Sequence, residues 1–206
     1  TAHAAFGHPV LYGDMDKPGG LDTDSWCNKF GVKKLSSIDE LVEKSDYIIV
    51  LSPDNPEQHE RLSRIPLMSG KPVYVDKTFS PDLMSGVRIF ELAEKYKTPM
   101  FSSSALRFAE ELSAYPNDRV NPKTLEFVAT MGPGSFETYS VHQLEMIVSL
   151  MGAGVSRIKS LSTKNDRTLV IEYPDGRRAS MHQMGKLPFK LTLQLKDGDG
   201  EYIRDC

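Results

Sequence analysis

Three short apolar runs between residues 37 and 101 alternate with helical patterns, and this alternation limits the fold more than any other feature of the chain. The runs cover residues 47–51, 73–75 and 100–101. A near-continuous apolar run is typical of a parallel strand that is covered on both faces. Strands that alternate with helices favour a parallel α/β sheet with right-handed crossovers. We therefore predict such a sheet in the first half of the chain.

Helix signals occupy the segments between these runs. Ser37 and Glu40 form a capping box, which predicts the start of a short helix. A second helix is predicted over residues 57–69. A third is predicted over residues 81–97, with Ser80 as its N-cap.

The pattern changes past residue 116, where one strand-like run follows another. A helix over residues 141–151 interrupts these runs, and Pro174-Asp175-Gly176 indicates a hairpin turn. The strand-like runs are 123–131, 155–162, 167–173, 177–183 and 189–196. Strands joined by hairpins imply an antiparallel sheet. The sequence therefore predicts the α/β class, with a parallel-sheet domain over residues 1–115 and an α+β domain with a mostly antiparallel sheet over residues 116–206.

Composition narrows the function to small-molecule chemistry. The formal net charge is -3, from 25 basic and 28 acidic residues, and there is no basic run of the kind that binds nucleic acid. No apolar run approaches the roughly 20 residues that cross a bilayer, so we expect no membrane partner. Two widely spaced cysteines favour a reducing, cytoplasmic setting and argue against a disulfide framework or a metal site.

One loop carries an acid and a base side by side. Asp76 and Lys77 directly follow the run at residues 73–75, where a parallel strand is predicted to end. In open α/β sheets ligands bind outside the carboxyl ends of the strands. A lysine there can donate a hydrogen bond or carry a proton. The alternatives are a solvated surface lysine or a structural ion pair between Lys77 and Asp76.

Together with its neighbours, this loop resembles the Glu-Lys-Pro region of the glucose-fructose oxidoreductase and inositol dehydrogenase family (Gfo/Idh/MocA). The resemblance implies a Rossmann-type first domain that binds NAD or NADP and a second domain that holds a sugar-like or polyol substrate. It also implies catalytic roles for Lys77 and His142. The pieces that carry the resemblance are residues 37–41 (SIDEL), 46–54 (DYIIVLSPD), 59–60 (HE), 70–73 (GKPV), 102–104 (SSS), 139–146 (YSVHQLEM) and 151–152 (MG).

Three positions depart from the family pattern. Asp76 and Thr78 stand where the family has Glu and Pro, and Thr138 stands where it often has Asp. A cis peptide bond before a residue other than proline costs about 2.5–4 kcal/mol. We therefore predict a trans bond before Thr78.

The resemblance also implies cofactor contacts. These are Ser52, Pro53 and Asp54 after the first run, His59 on the next helix, and Asp76 and Lys77 after the second run. The composition of Pro53 and Asp54 is equally explained by a turn and a cap.

The beginning of the chain resembles the tail of an Asp-Thr-x-His motif found in one branch of the family. This implies that the first strand is missing and that Thr1 and His3 lie on the turn that meets the pyrophosphate. Asp14, after residues 10–12, can bond the adenosine ribose, which favours NAD. Asp16 is an alternative to Asp14, and Lys17 can instead meet a phosphate.

Substrate contacts are expected from Ser104, Arg107 and His142. His142 is predicted at the start of its helix, with Glu145 on the same face one turn later. The unperturbed pKa of histidine lies near neutral pH, which suits the side chain to proton transfer, although a single histidine on a helix can also be structural. Arg107 is equally explained by an ion pair at a domain interface.

The leading interpretation is an oxidoreductase that transfers a hydride between NAD(P) and a hydroxyl of a small-molecule substrate, as a homo-oligomer through the second-domain sheet. Lys77 and His142 would handle the hydroxyl proton. The alternatives are a dinucleotide- or metabolite-binding protein without turnover and an NAD-dependent glycoside hydrolase on the same fold.

Overall fold

The computed structural model describes residues 21–52, 54–109, 112, 124–164 and 166–196, and the backbone of residues 202–205. The chain divides into two compact units, of which the first ends at Ser102 and the second begins at Ser103. The domain boundary predicted after residue 115 stays a prediction, because residues 113–123 lie outside the described ones. No helix in the described part of the chain is long and apolar enough to cross a membrane.

The first unit contains the predicted parallel sheet. Its strands pair in the order β1-β2-β3, and both pairs are parallel. The strands are β1 (Ile48–Val50), β2 (Val73–Val75) and β3 (Met100–Phe101), and the helices are α1 (Thr23–Phe30), α2 (Ile38–Glu43), α3 (His59–Met68) and α4 (Leu83–Tyr96). The alternation of strands and helices is thus confirmed.

Side-chain caps fix where two of these helices begin. The Ser37 hydroxyl accepts a hydrogen bond from the Glu40 backbone N–H at 3.1 Å, as the capping box predicts. Helix α4 instead has Asp82 as its N-cap, whose carboxylate accepts from the Ser85 N–H at 2.8 Å. The predicted cap at Ser80 is therefore wrong, because Asp82 is the last residue with extended backbone before the helix.

Among the described residues, side chains cover one face of strand β1 and leave the other face exposed. Ile48 and Val50 are buried with α3 and α4 side chains in the core of this unit. Ile49 between them is 64% exposed. The prediction of burial on both faces is thus wrong for β1. Successive side chains of a strand point to opposite faces, and an apolar run does not reveal whether the second face is covered.

The second unit is a six-stranded sheet with one long helix. The strand order is β5-β6-β7-β4-β8-β9, and every neighbouring pair is antiparallel except β4 with β7. The strands are β4 (Leu125–Gly132), β5 (Arg157–Ser162), β6 (Asp166–Glu172), β7 (Arg178–Met184), β8 (Lys190–Leu195) and β9 (Tyr202–Asp205). The mostly antiparallel sheet and the hairpin between β6 and β7 are confirmed.

Helix α5 spans Phe136–Met151 and begins earlier than the predicted residue 141. Ser135 caps it by accepting from the Thr138 N–H at 3.3 Å. At its other end, Tyr173 donates to the Gly152 carbonyl and Arg177 to the Met151 carbonyl, each at 3.1 Å. Both ends of the helix that carries His142 are therefore held by polar contacts.

Candidate functional site

Lys77 meets a carboxylate at the carboxyl edge of the parallel sheet. Its Nζ donates to Oδ1 of Asp54 at 3.2 Å, with side chains 21% and 52% exposed. Asp54 follows β1 and Lys77 follows β2, and Val50 lies beside Val75 in the register of the two strands. Asp54 has φ 57°, a left-handed conformation that aspartate tolerates better than most residues.

The neighbouring residues at this edge have other partners. The Tyr74 hydroxyl donates to the Asp76 carboxylate at 3.2 Å. The Asp76 backbone N–H donates to the Val50 carbonyl at 3.0 Å and so continues the ladder beyond β2. Lys77 therefore forms an ion pair with Asp54. The sequence-based alternative named another carboxylate, that of Asp76, as its partner.

The peptide bond between Lys77 and Thr78 is cis, and the prediction of a trans bond is wrong. That prediction used only the average preference of bonds before residues other than proline. Such an average does not account for the packing around one particular loop.

His59 lies at the start of α3 and is completely buried. Its Nδ1 is 3.0 Å from the carbonyl oxygen of Phe79, and its Nε2 is 3.2 Å from the carbonyl oxygen of Ser52. Both ring nitrogens thus contact the backbone of the first unit. A direct cofactor contact by this ring stays a prediction. The other expected cofactor residues Thr1, His3, Asp14 and Pro53 lie outside the described residues.

In the second unit, Ser104 and His142 form a close polar pair. Ser104 Oγ lies 2.6 Å from His142 Nδ1 and also accepts from the Leu106 backbone N–H at 3.1 Å. Ser104 is fully buried, and it caps a 3-10 turn over Ala105–Phe108. His142 lies in the second turn of α5 and not at its start, because the helix begins at Phe136.

Aromatic rings flank the same histidine. The rings of Tyr139 and Phe189 lie edge-on to the His142 ring, with centroids at 5.5 Å and 5.4 Å. Serine and aromatic neighbours together restrict the orientation of the imidazole. An oriented histidine is what proton transfer to a bound molecule requires.

Arg107 pairs with Glu145 within the second unit. Nη1 of Arg107 lies 2.7 Å from Oε2 of Glu145, with side chains 41% and 19% exposed. Ser104 and Arg107 are three residues apart, as His142 and Glu145 are. The 3-10 turn and its cap therefore make two parallel polar contacts with α5. Both residues of the Arg107–Glu145 pair belong to the second compact unit. The alternative of an ion pair at a domain interface stays a prediction, as the domain boundary after residue 115 does.

Sequence reasoning missed a buried amide pair next to His142. Gln143 is fully buried, and its Nε2 donates to Oε1 of Gln183 at 2.6 Å. Gln183 in turn donates to the carbonyl of Gly134 at 3.3 Å. The one available signal was a glutamine directly beside the histidine, which is too common a feature to indicate a buried contact.

Neither a protein-family model nor a curated protein matches this sequence. Among solved structures, a candidate myo-inositol dehydrogenase from Sinorhizobium meliloti 1021 superposes with TM-score 0.75 at 13% identity, over 89% of this chain and 64% of that one. The likeness establishes the fold.

Two further structures agree with it. UDP-N-acetylglucosamine 3-dehydrogenase GnnA from Acidithiobacillus ferrooxidans gives TM-score 0.68 at 11% identity, over 83% of this chain and 61% of that one. Biliverdin reductase from Synechocystis sp. PCC 6803, solved with biliverdin and NADP+, gives TM-score 0.67 at 14% identity, over 90% of this chain and 68% of that one. The chain thus spans under two thirds of the two dehydrogenases, and the Rossmann-type α/β architecture predicted from the sequence is confirmed.

Proposed function

We propose that this chain acts as an NAD- or NADP-dependent oxidoreductase that transfers a hydride to or from a hydroxyl of a sugar-like or polyol substrate. The observation that carries the proposal is the Lys77–Asp54 pair at the carboxyl edge of a parallel sheet. Ligands of open α/β sheets bind at this edge. The names of the three similar structures, two dehydrogenases and a reductase, add support.

The side chains at this edge fit a nicotinamide nucleotide. An ammonium and two carboxylates stand there as donors and acceptors for a carboxamide and for ribose hydroxyls. We assign the contacts to Ser52, Asp54, Asp76 and Lys77. When bound, the nicotinamide supplies the hydride acceptor or donor. The roles of Thr1, His3, Asp14 and Pro53 stay predictions.

Lys77 is assigned to the proton of the reacting hydroxyl. Oxidation of a carbinol removes a hydride from carbon and a proton from oxygen and leaves a carbonyl. Nζ of Lys77, in its neutral form, accepts that proton, and its ammonium returns the proton in the reverse direction. The contact with Asp54 holds Nζ in place.

His142 is assigned to a substrate hydroxyl through Nε2. Ser104 contacts Nδ1 and so orients the ring, which makes Ser104 a positioning residue for His142. The guanidinium of Arg107 has further N–H donors besides the one directed to Glu145, and we assign them to a substrate oxygen.

The open edge of the second sheet is the proposed contact for a homo-oligomer. Strand β5 lies at the end of the strand order, and all six of its residues are exposed. Ile158 and Leu161 are 56% and 65% exposed. Apolar side chains on an edge strand favour pairing with another chain.

A titration of the full-length protein with NADH and with NADPH, read by nucleotide fluorescence, tests the proposal first. We expect saturable binding of at least one nucleotide, followed by turnover in a screen of polyols and sugars. Lys77→Met should lower kcat by about 10²–10⁴-fold, a larger effect than the loss of one hydrogen bond, about 1 kcal/mol, has on nucleotide affinity. Lys33→Met, at an exposed lysine, is the matched control. A folded protein that binds neither nucleotide overturns the proposal.

A binding protein without turnover is the second candidate. Thr138 supports it, because its hydroxyl lies 2.7 Å from that of Ser135 at the position where the resemblance expects a carboxylate. Nucleotide binding without any turnover in the screen decides for this candidate. Cleavage of a glycoside without net cofactor reduction decides for the hydrolase.

A further inference from the structure

A buried histidine contacts both loops that leave the carboxyl edge of the parallel sheet. Nε2 of His59 lies 3.2 Å from the carbonyl oxygen of Ser52, in the loop after β1. Nδ1 lies 3.0 Å from the carbonyl oxygen of Phe79, in the loop after β2. One imidazole ring therefore bridges two segments that are separate in the sequence.

These two contacts flank the Lys77–Asp54 pair. Asp54 comes shortly after Ser52, and Phe79 comes shortly after Lys77. The ion pair joins the same two loops from their side chains at 3.2 Å. The loops are thus held together by the fully buried side chain of His59 and by the partly exposed ion pair of Lys77.

The burial of His59 points to a role in support of the loops. Its side chain is 0% exposed, and both ring nitrogens already face backbone carbonyls. Carbonyl oxygens only accept, so each contact requires a proton on the nitrogen that faces it. The neutral ring supplies one such bond and the charged ring supplies both.

The main chain of His59 is anchored as well. Its carbonyl accepts a 2.6 Å hydrogen bond from the hydroxyl of Ser63, which is itself fully buried. The imidazole is thus fixed by a rigid helix, while its partners lie in loops. Groups that hold catalytic side chains act best from such rigid elements.

We propose that His59 is a positioning residue for Lys77, which it serves by fixing the distance between the two loops that carry Lys77 and Asp54. The effect of His59 on catalysis rests on the proposed function. Its effect on the position of Lys77 does not, because that effect is argued from the structure alone. The ring acts through its contacts with the backbone carbonyls of Ser52 and Phe79.

The test measures the chemical accessibility of Lys77 directly. The full-length protein is labelled with trace acetic anhydride, and the acetylation of each lysine is read by peptide mass spectrometry. In His59→Phe, which lacks both ring nitrogens, the labelling of Lys77 relative to Lys33 should rise roughly threefold or more, as a partly exposed ion pair loosens. His59→Gln keeps one amide donor group and should give a smaller rise.

Thr98→Val is the matched control for a general loss of stability. Thr98 is buried in the same unit, where its hydroxyl donates to the Leu67 carbonyl at 2.5 Å, before the start of β3. This variant should leave the labelling of Lys77 relative to Lys33 unchanged. If His59→Phe fails to fold, His59→Gln carries the test. Unchanged Lys77 labelling in a folded His59 variant overturns the proposal.

Kinetics separate this proposal from the proposed function. In the active protein, His59→Phe should lower kcat more than it changes KM. In a Lys77→Met background the same change should have little further effect on kcat, because residues that act as a unit are not additive. A full additive loss in the double variant overturns the positioning role. Selective Lys77 labelling without binding of either nucleotide would leave the positioning role standing and refute the oxidoreductase.

Discussion

Oγ of Ser104 lies 2.6 Å from Nδ1 of His142 and at the same time caps the 3-10 turn that follows it. One hydroxyl thus joins the turn over Ala105–Phe108 to the middle of α5. Because Ser104 is fully buried, water cannot take its place without a local rearrangement. The orientation of the histidine depends on this contact.

Replacing Ser104 with alanine should therefore affect both stability and activity. We expect Ser104→Ala to lower the free energy of unfolding by about 1 kcal/mol, the usual net value of a hydrogen bond. If His142 handles a substrate proton, kcat should fall further than this loss explains, because the ring becomes free to turn. Urea unfolding and steady-state kinetics measure the two effects.

Ser103→Ala is the control for that experiment. Ser103 is also buried, and its hydroxyl donates to the Ser104 carbonyl at 2.8 Å, but it does not provide the contact to Nδ1. Its stability loss should be similar and its kcat nearly that of the unchanged protein. Equal loss of kcat in both variants would contradict a specific role for Ser104.

Gly132 is predicted to be intolerant of a methyl group. A Cβ atom there would lie 2.7 Å and 2.8 Å from the ring of Phe189 and 2.9 Å from Nε2 of Gln143. Overpacking of a buried site costs about 1–3 kcal/mol. Gly132→Ala should lower the free energy of unfolding by that amount and disturb His142, whose ring contacts Phe189.

Gly185→Ala provides the comparison, since a Cβ atom at Gly185 meets nothing within 4 Å. Urea unfolding of both variants measures the difference. If the two changes have the same effect on stability, the close packing around Gly132 is not what limits the substitution.

Glu40 should contribute to the acid sensitivity of the fold. A hydrogen bond from Lys44, followed by those from Ser36, lowers the pKa of Glu40 from 4.5 to about 2. A carboxyl group whose pKa is lower in the folded state stabilises the fold above its unfolded pKa. That stabilisation is lost as the pH falls from 4.5 towards 2.

Glu40→Gln should therefore be less stable than the unchanged protein at neutral pH, and the difference should disappear towards pH 2. Thermal unfolding across this pH range measures it. Because the ion pair between Lys44 and Glu40 is partly exposed, with side chains 46% and 29% exposed, added salt should reduce the difference at neutral pH. Glu94→Gln, at an exposed position on α4, is the control. A difference that persists at the acid end would contradict this account.

Local patterns predicted the elements that local physics dictates. The capping box at Ser37, the hairpin turn near Gly176 and the strand at residues 73–75 all follow from short-range signals, and all are found. Errors arose where a pattern had two solutions. Both Ser80 and Asp82 can cap a helix. Ser135 is an N-cap residue with Glu137 in the first turn, and this signal before residue 141 was missed.

The candidate site was predicted as a set of residues and not as a set of contacts. The position of Lys77 after β2 followed from the sequence, whereas its partner Asp54, 23 residues away, did not. His59 was expected at the cofactor, which stays a prediction, and the two carbonyls that its ring faces were not foreseen. Which of several acids meets a lysine depends on how two loops pack.

The sequence by itself determined the order of strands and helices, the change from a parallel to a mostly antiparallel sheet, and the loop that carries Asp76 and Lys77. These depend on apolar periodicity and turn residues within a few positions of each other. Only the tertiary structure decided that Lys77 meets Asp54 and that His142 meets Ser104, 38 residues away. The reason is physical: a contact between distant residues forms when packing brings their backbones together, and no local propensity encodes that distance.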